Sequence, residues 1–195
     1  MTGARRFSQA IAEGDGISIV VHVDDLDAAR AAEQQGAEAV ALRGPLGELS
    51  EATSLPLLLR HGSPEQAFAA GADACVVTSE AFDQDEGELE RHYRAALELG
   101  LDCVVEVRSD EELQLALELI DPEIFLLTGG GNEGGGPLEQ ALELLQDVPA
   151  GKLALAEVEA ASLDEVAELE RAGVDGVIVP AGDIAELAGG AQPPV

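Results

Sequence analysis

One short fragment recurs four times along the chain, and it limits the folds that the chain can adopt. Each copy is a glycine, an apolar residue, an acidic residue and then an apolar run, and the copies begin at Gly36, Gly71, Gly100 and Gly173. A glycine tolerates the left-handed conformation that ends a helix. An almost continuous apolar run is typical of a strand that is buried on both faces. The recurrence therefore predicts repeating helix–strand units.

Extending this pattern over the whole chain gives eight strands that alternate with helices. The strands are predicted at 17–23, 39–43, 56–60, 74–78, 103–107, 124–128, 153–157 and 176–179. The helices are predicted at 26–35, 46–52, 64–70, 86–99, 111–119, 138–145, 163–172 and in a final short segment from Asp183. Eight such repeats predict a compact (β/α)8 barrel, an α/β fold. A doubly wound open sheet is the alternative, but no phosphate fingerprint follows the first strand.

Size and composition are consistent with one globular domain over 1–195. The chain has 195 residues, of which 46% are hydrophobic and 3% are aromatic, so we expect an aliphatic core. The tail from Gly189 to Val195 is rich in glycine and proline and is expected to fray. No apolar run approaches the roughly 20 residues of a membrane helix, and no apolar segment follows the N-terminal arginine pair. The expected compartment is the cytoplasm.

The formal net charge of −29 is the most unusual property of the composition. It disfavours binding to nucleic acid or to an anionic membrane surface. Two explanations remain open for it, a salt-rich cytoplasm or a compositional bias of the organism. Cys75 and Cys103 lie within predicted strands and are interpreted as small buried hydrophobes. We predict no metal and no cofactor, and the sequence leaves the oligomeric state open.

Charged residues end several of the apolar strands, and barrel enzymes keep their chemistry at this end. Glu106, Glu157 and Arg60 end the fifth, seventh and third strands. Alternate strands contribute to the same interior layer, so these three side chains are expected to meet at the mouth. A carboxylate pair beside an arginine is suited to acid–base catalysis. A satisfied buried ion network without a catalytic role is the alternative.

Ligand contacts are predicted next to this cluster, at His22, His61, Thr128, Gly129 and Gly182. Gly129 opens a glycine-rich segment, 129–136, directly after the sixth strand. Successive backbone N–H groups ahead of a helix can bind a phosphate. The segment lacks lysine and carries Glu133, which favours a flexible loop instead.

Several segments together resemble the indole-3-glycerol-phosphate synthase family. The sequence LDCVVEV at 101–107, followed by 109–113, is similar to the family's fifth strand and the helix after it, and 67–77 is similar to its fourth unit. The segments 6–11 and 16–20 resemble the entry to its first strand, and 55–60 resembles its third strand. The resemblance implies a divergent, shortened member with a (β/α)8 fold. It also implies a tryptophan-biosynthesis lyase that closes an indole ring on a phosphorylated aryl-amino sugar, with loss of carbon dioxide and water.

The resemblance places Glu106 and Glu157 on the family's fifth- and seventh-strand glutamates. Arg60 stands where the family has a lysine acid, and arginine is a poor proton donor because it stays protonated. Thr128 replaces the sixth-strand asparagine, and Pro180, which has no N–H, replaces a phosphate-binding glycine.

Three functions therefore remain open. The first is a divergent lyase that binds an anionic small molecule, phosphorylated or not, with Glu157 as base and with Glu106 and Arg60 as electrostatic partners. The second is a non-catalytic barrel that serves as a binding or assembly module. The third is a different isomerase or lyase on the same scaffold.

Overall fold

Eight parallel strands form a closed barrel in the computed structural model, which describes residues 5–13, 16–44, 53–78, 86–128, 136–158, 162–182 and 184–188. The strands are β1 (Ser18–His22), β2 (Ala39–Leu42), β3 (Leu57–Leu59), β4 (Ala74–Val77), β5 (Asp102–Val107), β6 (Ile124–Leu127), β7 (Leu153–Glu157) and β8 (Gly176–Val179). Every strand pairs with its neighbours in chain order, and β1 pairs with both β2 and β8. The predicted (β/α)8 barrel is confirmed, and the open-sheet alternative is wrong.

Helices surround the strands in the described ranges. They are α1 (Arg6–Ala12), α2 (Leu26–Gln34), α3 (Pro64–Ala69), α4 (Glu86–Glu98), α5 (Asp110–Leu119), α6 (Pro137–Leu145), α7 (Leu163–Ala172) and α8 (Ala185–Ala188). The helix predicted at 46–52 and the tail 189–195 lie outside the described residues. None of the helices described is long and apolar enough to cross a bilayer.

The recurring glycines adopt the conformation that the fragment predicts. Gly36, Gly71, Gly100 and Gly173 have φ of 92°, 73°, 75° and 98°. These values lie in the left-handed region, which a residue with a Cβ adopts only at a cost in free energy. Each glycine therefore ends a helix and directs the chain into the next strand.

Local side-chain contacts determine where the helices begin. Ser162 forms a capping box with Glu165, and Ser63 forms one with Gln66. In both, the serine hydroxyl accepts a hydrogen bond from the third helical N–H, while the partner side chain accepts one from the serine N–H. Ser109 caps α5 by accepting from the N–H of Glu112. These helix starts fix where the preceding strands end and therefore where the rim of the barrel lies.

The barrel interior follows the two-residue period of the strands. Successive strand side chains point to opposite faces, so residues two apart share a face. One set forms a buried apolar cluster inside the barrel, and it includes Val20, Leu58, Val104, Leu126 and Leu155. The other set packs against the helices. Cys75 and Cys103 belong to this outer set, are register partners on β4 and β5, and are buried as expected.

Helix α1, which the strand–helix pattern did not predict, covers the N-terminal end of the barrel. Phe7 and Ile11 belong to the interior cluster and are 0% and 2% exposed. Ser8 donates from its N–H and from its hydroxyl to the Asp102 carboxylate, at 2.9 and 3.2 Å. Burial raises the pKa of Asp102 despite these two hydrogen bonds. The interior at the N-terminal end is thus filled by side chains, and a cleft of about 260 Å³ whose lining includes Asp102 lies beside α1. A larger cleft lies at the C-terminal mouth.

Candidate functional site at the C-terminal mouth

The last inward-pointing position of four strands carries a polar side chain. His22, Arg60, Glu106 and Glu157 each follow an interior apolar residue by two positions. The period of two therefore directs all four side chains into the barrel. They come from β1, β3, β5 and β7, and barrel interiors are filled by layers that alternate strands supply. We call these four residues the polar layer.

Direct contacts join the polar layer into one chain of hydrogen bonds and ion pairs. Arg60 Nη2 lies 2.9 Å from Glu157 Oε2 and 3.5 Å from Glu106 Oε1. The other oxygen of Glu157, Oε1, lies 2.8 Å from His22 Nε2. The two glutamates and the guanidinium therefore meet as the sequence predicts, and the contact of His22 with Glu157 adds a member that the sequence had placed only as a ligand contact.

Burial makes these charges depend on one another. The Arg60 side chain is 7% exposed, those of His22 and Glu106 are 14%, and that of Glu157 is 28%. Two carboxylates and one guanidinium leave a net charge of −1, which a protonated His22 would cancel. Arg60 Nη1 and His22 Nδ1 are buried, and neither has a hydrogen-bond partner in the described part of the chain. The layer is thus held together but keeps unused hydrogen-bonding capacity.

Opposing effects act on the pKa of Glu157. Burial is the largest single effect and raises it, whereas the hydrogen bond with His22 and the charges of Arg60, His22 and Arg43 lower it. The lowering effects prevail, so the pKa of Glu157 lies below its ordinary value. Glu157 is therefore a carboxylate at neutral pH.

A cleft of about 680 Å³ opens above the polar layer. Its lining comprises His22, Asp24, Arg43, Thr128, Pro137, Glu157, Val158, Pro180 and Ala181. Glu157 and His22 belong to both the cleft and the polar layer, whereas Arg60 and Glu106 lie beneath it. Thr128 Oγ1 donates to Glu106 Oε1 at 3.3 Å, so Thr128 connects the cleft wall to the buried carboxylate. A small ligand in the cleft would contact Glu157 and His22 first.

The other predicted ligand contacts lie apart from this cluster or outside the described residues. His61 is exposed and is not part of the cleft lining. It is one position beyond Arg60, so the period of two directs it away from the interior. Gly182 is exposed two residues beyond Pro180, outside the lining. Gly129 and the segment 129–135 lie outside the described residues.

Two further charged residues line the cleft although the sequence reasoning assigned them no role. Asp24 and Arg43 follow β1 and β2, and both are exposed. The period of two that directs Arg60 into the barrel also applies to Arg43, which lies two positions beyond the interior residue Ala41. This two-residue period is the sequence signal that could have placed Arg43 in the cleft. Among the described residues, no group of three His, Cys, Asp or Glu side chains is placed to hold a metal ion.

These features define the class of protein as a (β/α)8 barrel with a polar C-terminal mouth. Solved structures agree with the fold. N-acetylmannosamine-6-phosphate 2-epimerase from Clostridium perfringens matches with a TM-score of 0.67 and 15% identity over 86% of each chain. Phosphoenolpyruvate phosphomutase from Streptomyces platensis matches with a TM-score of 0.69 and 16% identity, over 90% of this chain and 80% of that one. At these identities the likeness shows the fold alone.

Curated relatives narrow the class to a family. Three proteins named indole-3-glycerol phosphate synthase are similar to this chain. The protein from Geobacillus sp. is 27% identical over 77% of this chain and 64% of its own length, and the one from Shouchella clausii is 28% identical over 69% of this chain and 54% of its own length. The protein from Bacillus cereus is 29% identical over 83% of this chain and 69% of its own length. No family model matches the chain. The chain is a divergent relative of the indole-3-glycerol-phosphate synthase family. In the first two of these matches it spans about half to two thirds of the relative's length.

Proposed function

We propose that the protein is a lyase of the indole-3-glycerol-phosphate synthase type that binds an anionic small molecule in the C-terminal cleft. The observation that carries this proposal is the polar layer, in which Glu157 faces the cleft and contacts both His22 and Arg60. A buried, ionised cluster beneath a cleft is a common basis for acid–base catalysis. Such a lyase belongs to tryptophan biosynthesis, and the cytoplasm is its expected compartment.

The reaction of the family sets the roles that the polar layer would have to fill. Ring closure releases carbon dioxide and water, so a base must accept a proton and an acid must protonate the departing hydroxyl group. We assign the base to Glu157, with Arg60 and Glu106 as its electrostatic partners. Arginine does not give up its proton at ordinary pH. His22, in contact with Glu157 on the cleft wall, is the described side chain best suited to donate one.

Turnover of the family's aryl-amino ribulose phosphate substrate tests the proposal. We expect indole-3-glycerol phosphate to form above background in the parent protein. Glu157→Gln keeps the shape of the side chain and removes its basicity, so turnover should fall by at least about 100-fold. The matched control is Glu143→Gln on α6, an exposed glutamate that is not part of the cleft lining, which should leave turnover unchanged. Absence of product with a correctly folded parent protein would refute the lyase.

One observation favours a second function, a non-catalytic binding module. Arg60 is almost fully buried and shares its charge between two carboxylates, as a purely structural ion network would do. This function is supported if the protein binds the substrate saturably without forming product, and if neither Glu157→Gln nor Arg60→Lys abolishes that binding. A different isomerase or lyase would instead show turnover of another substrate that Glu157→Gln abolishes.

A further inference from the structure

The two cysteines of the sequence lie side by side on neighbouring strands. Cys75 is the second residue of β4, Cys103 is the second residue of β5, and the two are register partners. Neighbouring strands lie about 4.8 Å apart, and both side chains belong to the outer set that packs against the helices. The thiol of Cys103 shares a hydrogen bond with the thiol of Cys75. The two sulfur atoms are therefore in direct contact.

We propose that Cys75 and Cys103 form a binding site for one soft cation, of the class to which Cu(I) belongs, held between their two sulfur atoms. Metal–thiolate bonds are about 2.3 Å long, so two sulfurs on one ion lie at most about 4.6 Å apart. This distance agrees with the spacing of neighbouring strands. The site lies near the N-terminal ends of the strands and goes beyond the proposed function, which concerns the opposite end of the barrel. The sequence analysis gave both cysteines only a packing role.

The ligand atoms of this site select a soft ion of low coordination number. Thiolates prefer soft ions such as Cu(I), whereas magnesium and calcium prefer oxygen ligands. A structural zinc site needs four ligands. Over the described ranges, no further His, Cys, Asp or Glu side chain joins the pair as a third ligand. The next residues of the outer set on the two strands are apolar, Val77 and Val105, so the pair suits an ion that accepts two sulfur ligands.

The cleft of about 260 Å³ beside α1 gives a cation a route to the pair. Cys103 belongs to its lining and is 5% exposed, whereas Cys75 is 1% exposed, so an entering ion meets Cys103 first. Asp102 and Glu123 lie in the same lining, and their carboxylates attract cations, as does the net charge of −29. Arg5 also lines the cleft, but Glu123 balances its charge at 2.6 Å. The approach to the thiols therefore favours a positive ion.

Burial determines the charge of the filled site. Both cysteines are buried, and an uncompensated charge in such surroundings is costly. A monovalent ion that displaces the proton of one thiol leaves a neutral unit of one cation, one thiolate and one thiol. Loss of both protons would instead leave a net negative charge beside Asp102. Binding therefore breaks a single S–H bond, and the proton passes to solvent.

Titration of the reduced full-length protein with Cu(I) tests this inference. A chromogenic Cu(I) chelator supplies the ion and reports its transfer to the protein, and we expect saturation at a single ion per chain. Cys75→Ala and Cys103→Ala keep a small apolar side chain at each buried position. Each should weaken Cu(I) binding by at least about 100-fold, because the second thiol binds the ion intramolecularly. Zn(II) at the same concentration should not bind.

Two further variants separate the geometry of the pair from its thiol content. The double change Cys75→Ala with Val77→Cys keeps two thiols on the same face but moves one of them two positions, about 6.6 Å, along β4. It should bind Cu(I) as weakly as the single cysteine variants. Val105→Ala removes apolar volume two positions from Cys103 and keeps both thiols, so it should bind Cu(I) as the parent does.

Thermal unfolding distinguishes a native site from binding by the unfolded chain. With free Cu(I) at about 100 times the dissociation constant, the midpoint of the parent should rise by roughly 5 °C, because the ion binds the folded state preferentially. The midpoints of Cys75→Ala and Cys103→Ala should not rise. No transfer of Cu(I) from the chelator, parent-like affinity in the variant with the displaced thiol, or an unchanged midpoint in the parent would each overturn the inference.

Discussion

At the scale of single residues, the polar layer combines strong local interactions with a large desolvation cost. Glu157 is the member on which these effects meet, since each of its carboxylate oxygens contacts a different side chain, His22 or Arg60, and it also faces the cleft. Replacing one partner leaves the others buried without compensation. Stability and chemistry are therefore linked at the same four side chains.

Glu157→Gln should lower stability in a pH-dependent way. Because the pKa of Glu157 is lowered on folding, its ionised form stabilises the protein above the ordinary pKa of 4.5, and this contribution disappears as pH falls through the folded-state pKa. At pH 7 we expect a loss of about 1–2 kcal/mol. Urea unfolding of both proteins from pH 7 to pH 3 measures the difference. A difference that stays constant over this range would contradict the prediction.

Arg60→Met should be the most damaging change in the polar layer. It places an apolar side chain between two buried carboxylates, and breaking a buried ion pair in this way costs about 3–5 kcal/mol. Adding Glu106→Gln removes one of the two stranded charges, so the double variant should regain part of the loss. Urea unfolding at pH 7 gives both values. If adding Glu106→Gln makes the Arg60→Met variant still less stable, the guanidinium does not hold the polar layer together.

At the scale of elements, the strands could be predicted and one helix could not. The glycine–acid fragments specify strands locally, because a left-handed glycine and an apolar run act within a few residues. Helix α1 has seven residues, no side-chain cap and no acidic residue in its first turn. Packing of Phe7 and Ile11 into the barrel holds it in place, and such tertiary contacts leave no periodic signal in so short a segment.

Phe7→Ala should show that α1 is part of the core. Phe7 is 0% exposed, and truncation of a buried phenylalanine costs about 3–5 kcal/mol. Phe68→Ala is the matched control, because Phe68 lies on α3 with 50% exposure and its truncation should cost well under about 1 kcal/mol. Chemical unfolding of the two variants compares them directly. Similar losses would mean that α1 does not close the barrel.

The meeting of three polar-layer side chains could be predicted from their positions at the ends of alternate strands, whereas their catalytic role stays a prediction. Glu106, Glu157 and Arg60 are found because each ends an apolar run on the inward face. His61 lies one position beyond Arg60, so its side chain is directed to the opposite face, and this accounts for its position outside the cleft. The contact of His22 with Glu157 depends on closure of the barrel, which brings β1 and β7 to either side of β8. No local pattern contains that information.

At the scale of the whole molecule, the net charge of −29 acts against the compact state. The described ion pairs neutralise only part of this charge, and many acidic side chains lie on exposed helix faces, such as Asp27, Glu98 and Glu143. Repulsion between exposed charges is long-ranged at low ionic strength and is screened over roughly 10 Å at 0.1 M salt. Stability should therefore depend on the solvent as well as on the core.

The thermal midpoint should rise with salt. Between about 0.02 and 1 M sodium chloride we expect an increase of several degrees, since screening reduces repulsion in the folded state more than in the expanded chain. Thermal unfolding followed by circular dichroism measures the shift, with sucrose in place of salt as a control without screening. A midpoint that is insensitive to salt would show that self-repulsion does not limit stability.

The polar layer is also divided unequally along the chain. The guanidinium of Arg60 and the imidazole of His22 come from the first four strands, and the two carboxylates come from the last four. Each half of the barrel taken alone therefore lacks the partners that the other half supplies to its polar-layer side chains. Electrostatic complementarity across the seam makes the two halves partners for each other and poor partners for copies of themselves.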